Sequence, residues 1–183
     1  MSSLAQPDVN GDLRFPIGRY RPPHEITGAV REEWIGELES LPHKLRNAVA
    51  GLSDSQLDTR YRPGGWSVRQ VVHHLPDSHM NSYVRFRLAL TEDNPAIKAY
   101  EEDRWAELPD ARESPLEASL LLLDGLHRRF TALLRSLAAN DFGRTFRHSD
   151  LGELRLDWTL GLYAWHSRHH VAHITNLRLR ENW

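Results

Sequence analysis

Apolar residues return at three- and four-residue steps along most of the chain, the period of an amphipathic helix. From Ile26 to Leu52 the series Val30, Trp34, Ile35, Leu38, Leu41, Leu45, Val49 predicts a first helix, kinked or broken at Pro42. A second helix is predicted to start after Gly64-Gly65. Ser67 and Gln70 form a capping box there, and Trp66 takes the staple position. Val71, Leu75, Val84, Phe86 and Leu88 carry it to about Thr91, with a bend expected just after His74 because of Pro76. Residues 92–113 read as a long loop whose Trp105 and Leu108 pack back onto the core. The third helix is predicted from Ser114-Pro115-Leu116-Glu117 through Leu120, Leu123, Leu126, Phe130 and Leu134 to an end at Asn140 and Gly143. Between 144 and 156, short alternating stretches flank Ser149 to Gly152 as a small β-hairpin. Asp157 then caps a last helix running through Leu160, Tyr163, Ile174 and Leu177 to about Arg180. Four long helices with little strand predict an all-α four-helix bundle.

Residues 1–25 are polar and punctuated by Pro16, Pro22 and Pro23, and read as an extended N-terminal arm; residues 26–183 read as a single domain. Met1 to Leu13 lacks both a basic start and an apolar stretch, so no secretory signal is expected. The longest purely aliphatic run, Leu120 to Leu123, is far short of the roughly 20 residues that span a bilayer. A cytoplasmic protein without a membrane partner is the expectation.

Composition narrows the chemistry further. The 23 Lys and Arg are matched by 25 Asp and Glu, a net charge of -2, so nothing in the balance favours nucleic acid, which demands a basic surface. No cysteine occurs, which removes thiolate metal sites, disulfides and cysteine nucleophiles. No P-loop, GxGxxG or GxSxG motif is present. What remains is histidine: 11 residues, four of them between 166 and 173.

On the last helix His166 with His170, and His169 with His173, are both four apart, so either pair places two imidazoles on one face. The row through Tyr163, His166, His170 and Leu177 favours the first pair as the inward one, while the His169 row includes Asn176. Both pairs satisfy the spacing. A third ligand is offered by His73 or His74 on the second helix. His73 shares its face with Arg69, Gln70 and Asp77, read as solvated, whereas His74 lines up with Val71, Leu75 and Ser78. Three histidines leave a fourth position for water, the mark of a catalytic metal. His24, His43, His79, His127 and His148 are read as surface or satisfied core residues. Asp77, Asp124 and Glu117 are the candidate carboxylate partners for the second nitrogens of ligand histidines. The HxxxH pair lacks the glutamate of HExxH proteases, so no catalytic residue is assigned.

Pro16-Ile17-Gly18-Arg19-Tyr20, the stretch Gly64-Gly65-Trp66-Ser67-Val68-Arg69-Gln70-Val71-Val72-His73-His74-Leu75, and Trp165-His166 through His173-Ile174 together resemble the YfiT branch of the DinB-like superfamily. The resemblance extends over nearly the whole chain from Pro16, with Pro76 departing from the pattern. It implies a four-helix bundle with a mononuclear site of His74, His166 and His170 holding one divalent ion per subunit, zinc foremost and nickel second. It also implies a cytoplasmic homodimer acting as a metal-dependent hydrolase on a small-molecule substrate. The alternatives are a metal-dependent thiol transferase using a low-molecular-weight thiol, as elsewhere in that superfamily, or a non-catalytic metal-binding stress protein.

Overall fold

The structure, a computed structural model, describes residues 12–183; the part of the predicted arm formed by residues 1–11 lies outside the described residues. Four long helices dominate. They are α1 (Gly28–Val49), α3 (Val68–Thr91), α6 (Glu117–Ser136) and α7 (Leu156–Glu181), with the single turn α2 (Asp54–Leu57) between the first two. Helix α1 packs on α6 and α7, and α3 packs on the same two, so α1 and α3 face each other diagonally.

Neither helix breaks at its internal proline: α1 runs on through Pro42 and α3 through Pro76. Apolar burial on both sides of each ring outweighs one missing hydrogen bond. The capping box at Ser67 and Gln70 is present as predicted, with both reciprocal bonds formed. Residues 92–113, expected as a plain loop, contain β1 (Ala96–Ile97), α4 (Glu102–Trp105) and α5 (Pro109–Glu113). Trp105 and Leu108 stay 37% and 50% exposed instead of packing on the core. The small residues Ala106 and Ala111 are buried in their place, and Gln70 Nε2 donates to the Ala106 carbonyl at 2.8 Å.

Helix α6 begins at Glu117 rather than at a Ser114 cap, because Ser114 closes α5. It ends at Ser136, and a turn of 3-10 helix, Asp141–Gly143, follows. The predicted hairpin is there as β2 (Thr145–His148) and β3 (Gly152–Arg155), antiparallel with Phe146 opposite Leu154. Strand β1 adds a parallel third member that the sequence did not announce. Strand β3 runs straight into α7, so Arg155 is the helix cap. Asp157, expected in that role, sits buried in the first turn between the Trp158 amide and the Arg155 guanidinium. No helix is long and apolar enough to cross a membrane among the described residues.

Residues 12–27 contain no helix or strand, and the stretch from Arg14 to Tyr20 touches α7. Tyr20 packs edge-on to Trp158, and Trp165 Nε1 donates to the Gly18 carbonyl at 3.1 Å. Gly161 makes this possible, since a Cβ there would collide with the Tyr20 hydroxyl and the Trp34 ring.

The apolar interior is divided in two. One half gathers Leu41, Leu45, Val71, Leu75, Leu123, Ile174 and their neighbours, the other Trp34, Leu38, Phe86, Phe130, Phe146, Leu160 and theirs. At the level between them α3, α6 and α7 contribute buried polar groups: Ser78, His79, Ser82, His127, Thr131, Ser167 and His170. This polar layer holds the site.

Candidate metal centre

The cap at Ser67 sets the register of α3 and puts His74 two turns into the helix, where it faces α7. Ahead of the cap, Gly64 adopts φ +67°, a left-handed turn that favours glycine. The turn lays Trp66 against His74, ring centroids 4.6 Å apart, and parallel to His170 at 6.2 Å. On α7, His166 and His170 lie one turn apart and point the same way. His166 Nε2 stands 3.2 Å from His74 Nε2 and 3.1 Å from His170 Nε2. His74 and His170 are buried, while His166 opens partly to an adjoining cleft.

Three imidazole nitrogens aimed at one point cannot all satisfy one another, because a lone pair accepts a single strong hydrogen bond. They suit an ion instead. Nitrogens bound at about 2.0–2.1 Å in tetrahedral geometry stand about 3.3 Å apart, close to the spacing found. The electrostatics agree, since a metal ligand must be a neutral imidazole. Burial pushes His74 down to about 3, with the nearby His169 adding to the effect. Burial likewise holds His166 and His170 well below the ordinary histidine value, and neighbouring histidines reinforce it.

Behind His166 stand two histidines with no metal-ligand spacing in the sequence, His79 and His127. His166 Nδ1 lies 3.2 Å from His79 Nε2, His79 Nδ1 lies 3.0 Å from His127 Nε2, and His127 Nδ1 meets the Leu38 carbonyl. A carbonyl only accepts, so His127 must carry its proton on Nδ1. Burial holds His127 down to about 4 and His79 well below its ordinary value, so both rings are neutral with one proton each. The direction then propagates. His127 Nε2 accepts from His79 Nδ1, His79 Nε2 accepts from His166 Nδ1, and His166 presents Nε2 to the site as a bare lone pair. The anchor at Leu38 is supplied by Pro42. A residue at position 42 would normally donate its N–H to the carbonyl four residues back, which is Leu38, and proline has no N–H to give. The carbonyl is left for His127. A signal was present in the sequence: His127 interrupts the otherwise apolar row Leu120, Leu123, Phe130, Leu134, and His79 interrupts Leu75, Ser82, Phe86.

The carboxylates expected behind the ligands stand elsewhere. Glu117 pairs with Arg46 and Asp124 with Arg128 on the surface. Asp77 is pushed up to about 6 by burial and by Asp110, and no bond to a site histidine involves it. His73 points away from the site, but its row is not solvated. His73, Arg69 and Gln70 are all buried under the 102–114 segment, with His73 bonded to Ser119 Oγ and the Ser114 carbonyl. His169 and His173 are also buried rather than polar-facing. The N-terminal segment covers them: Phe15 packs on His169 and His173 Nε2 bonds the Arg14 carbonyl. With His170 they form a second group whose nitrogens lie within 4.8 Å of one another, so His170 is shared by two groups that could hold an ion.

All three histidines of the first group line an open cleft of about 380 Å³, whose walls include Trp66, Ser78, Arg85, Tyr100 and His148. The carboxylates of Glu102 and Asp150 line it as well, both on exposed residues.

Comparison with known proteins follows the same lines. The model of the DinB superfamily matches residues 29–174. A protein of Bacillus cereus (strain G9842) named "Putative metal-dependent hydrolase" is 56% identical over 172 residues, covering 94% of this chain and 99% of its own. A Bacillus anthracis (strain A0248) protein of the same name is 56% identical over the same shares. Among solved structures, YfiT from Bacillus subtilis, described as a probable metal-dependent hydrolase with an unusual four-helix bundle topology, is similar at a TM-score of 0.91. It is 53% identical, over 93% of this chain and 98% of that one. The four-helix bundle protein TT2238 shares the fold at a TM-score of 0.52 and 20% identity, over 77% and 94% of the two chains.

Proposed function

Since the chain belongs to the DinB superfamily, we propose that it is a metal-dependent hydrolase whose single divalent ion, zinc or nickel, is held by His74, His166 and His170. The observation that carries this reading is the convergence of three neutral imidazoles on the wall of a cleft, with His166 Nε2 3.2 Å from that of His74 and 3.1 Å from that of His170, and ligand nitrogens of all three within 4.8 Å of one another. A divalent ion bound there supplies Lewis acidity, lowering the pKa of a coordinated water and stabilising developing negative charge.

The chain's own residues set the conditions for that chemistry. His166 has no proton to lose at Nε2, because the bonds through His79 and His127 to Leu38 hold it on Nδ1. Trp66 packs on the His74 ring, lies parallel to that of His170 and forms one wall of the cleft. The cleft side stays open for substrate, and its carboxylates, Glu102 and Asp150, are the groups at hand to take up a proton.

The role of His127 has a direct check. Replacing it with Phe removes the anchor, and zinc affinity measured against a competing chelator is expected to fall about 10- to 100-fold. His127→Gln, which keeps one donor and one acceptor, is expected to retain most of it. Equal affinity in wild type and His127→Phe would remove His127 from any part in the site.

The activity is tested with zinc-loaded protein on ester and amide panels, run beside low-molecular-weight thiols with an electrophile. Hydrolysis that is lost in His166→Ala supports the reading. Thiol-dependent turnover without hydrolysis would overturn it in favour of a transferase, and zinc binding without turnover of either kind would leave a non-catalytic metal protein.

A further inference from the structure

The chain buries two arginines on α3 and treats them differently. Arg69 is 5% exposed, and its guanidinium meets Asp58 at 2.7 Å and Asp54 at 3.0 Å and donates to the Ser114 carbonyl. Arg85 is 9% exposed and has no such set. Its Nη1 reaches the Tyr163 hydroxyl at a long 3.4 Å, its Nε is shut from solvent with no acceptor, and no carboxylate lies within 4 Å among the described residues. A buried charge without a partner is strongly disfavoured, and proteins tolerate one mainly where a ligand completes it. The hydroxyl of Ser82, one turn before Arg85, is buried without a partner too.

Arg85 lines the same cleft as His74, His166 and His170. Tyr163 links the two ends: its hydroxyl takes the Arg85 bond, and its ring centroid is 5.6 Å from that of His166. The cleft's acids, Glu102 and Asp150, belong to exposed residues where water screens them, and neither reaches the guanidinium. The missing partner is therefore an anion that arrives with the ligand.

We propose that Arg85 is a substrate-binding residue, and that the cleft takes small molecules with a carboxylate or phosphate at one end and the reacting group at the other. Arg85 forks onto the anion and so orients the reacting group toward the histidines, as planar guanidinium groups do with carboxylate and phosphate. This specificity rests on the proposed hydrolase site, but anion binding by Arg85 does not require the ion.

The experiment starts with metal-free protein. Butyrate, inorganic phosphate and the uncharged butyramide are titrated into wild type, Arg85→Met and Arg85→Lys by calorimetry, with the Arg85 Nε–H resonance followed by NMR. Butyrate or phosphate is expected to bind wild type and shift that resonance, and whichever binds identifies the anion. Arg85→Met is expected to weaken binding at least tenfold, Arg85→Lys to give an intermediate loss, and butyramide not to bind. Arg85→Met is also expected to melt no lower than wild type, because it removes an uncompensated charge rather than a structural pair. Equal binding of butyrate and butyramide, anion binding unchanged in Arg85→Met, or no anion binding at all would overturn the proposal. With zinc-loaded enzyme, the p-nitrophenyl monoester of glutarate and the neutral p-nitrophenyl pentanoate are then compared. KM is expected to rise in Arg85→Met for the charged ester alone. If neither ester is hydrolysed by wild type, the hydrolase reading fails, while the anion titration still decides the role of Arg85.

Discussion

Chelation is expected to lower the melting temperature of the zinc-loaded protein by roughly 8–16 °C. An ion that binds the folded chain and not the unfolded one stabilises by mass action, about 4 kcal/mol at a thousand times its dissociation constant. For a domain of this size each kcal/mol moves the midpoint by about 2–4 °C. The variant pattern identifies the site. His170 belongs to both histidine groups, so His170→Ala is expected to abolish the chelator effect wherever the ion sits. The decisive pair is His166→Ala and His169→Ala. Loss of the effect in the first and its retention in the second place the ion with His74, and His173→Ala is then expected to behave like His169→Ala. The reverse pattern would move the ion to the group covered by the N-terminal segment, and a melting curve unmoved by chelator would remove the site altogether.

A second large effect is expected in acid. Burial holds His74 and His173 down to about 3 and His127 and His169 down to about 4, with His79, His166 and His170 lowered as well. In the unfolded chain each titrates near 6.5. Between the two values the unfolded state binds more protons, so stability rises with pH there and is lost as pH falls. The contribution is complete above about pH 6.5 and drops by about 1.4 kcal/mol per group for each unit below it. A handful of such groups reaches the roughly 5–15 kcal/mol that holds a domain together. Metal-free protein is expected to unfold with a midpoint near pH 5 to 5.5, above the range where unperturbed carboxylates titrate. Helical ellipticity unchanged at pH 4.5 would show that the buried histidines take up protons without unfolding the chain.

Much of this architecture was legible in the sequence, for physical reasons. The periodic rows of α1, α3, α6 and α7 report which face must be buried, and the Ser67–Gln70 box fixes a helix start by hydrogen bonds between neighbours in sequence. His74, His166 and His170 were readable as candidates from helix rows and from the family resemblance, but the rows alone did not separate His166 and His170 from His169 and His173, which are buried as well. Features that depend on distant partners were not. Ser114 and Asp157 have the chemistry of caps, but one ends a short helix and the other is tied to Arg155. His73 and His169 looked solvated because sequence does not show the segments folded over them. Trp105 looked like core, yet it stays exposed against Tyr100 while two alanines take the buried positions. Carboxylates are the common partners of metal-binding histidines, but behind His166 the chain uses two further histidines and a backbone carbonyl instead.

The polar layer also bears on how the bundle knows its own alignment. Leucine-rich faces interlock almost equally well when one helix slides along another by a full turn, so greasy halves above and below would tolerate several alignments. The chain of contacts from His74 through His166, His79 and His127 to Leu38 crosses α3, α7, α6 and α1 at one height. Sliding any one helix would strand a polar group in oil, a penalty that apolar packing alone never exacts. The row of imidazoles therefore acts as a cross-pin through four rods, and Pro42 is the hole drilled to receive it.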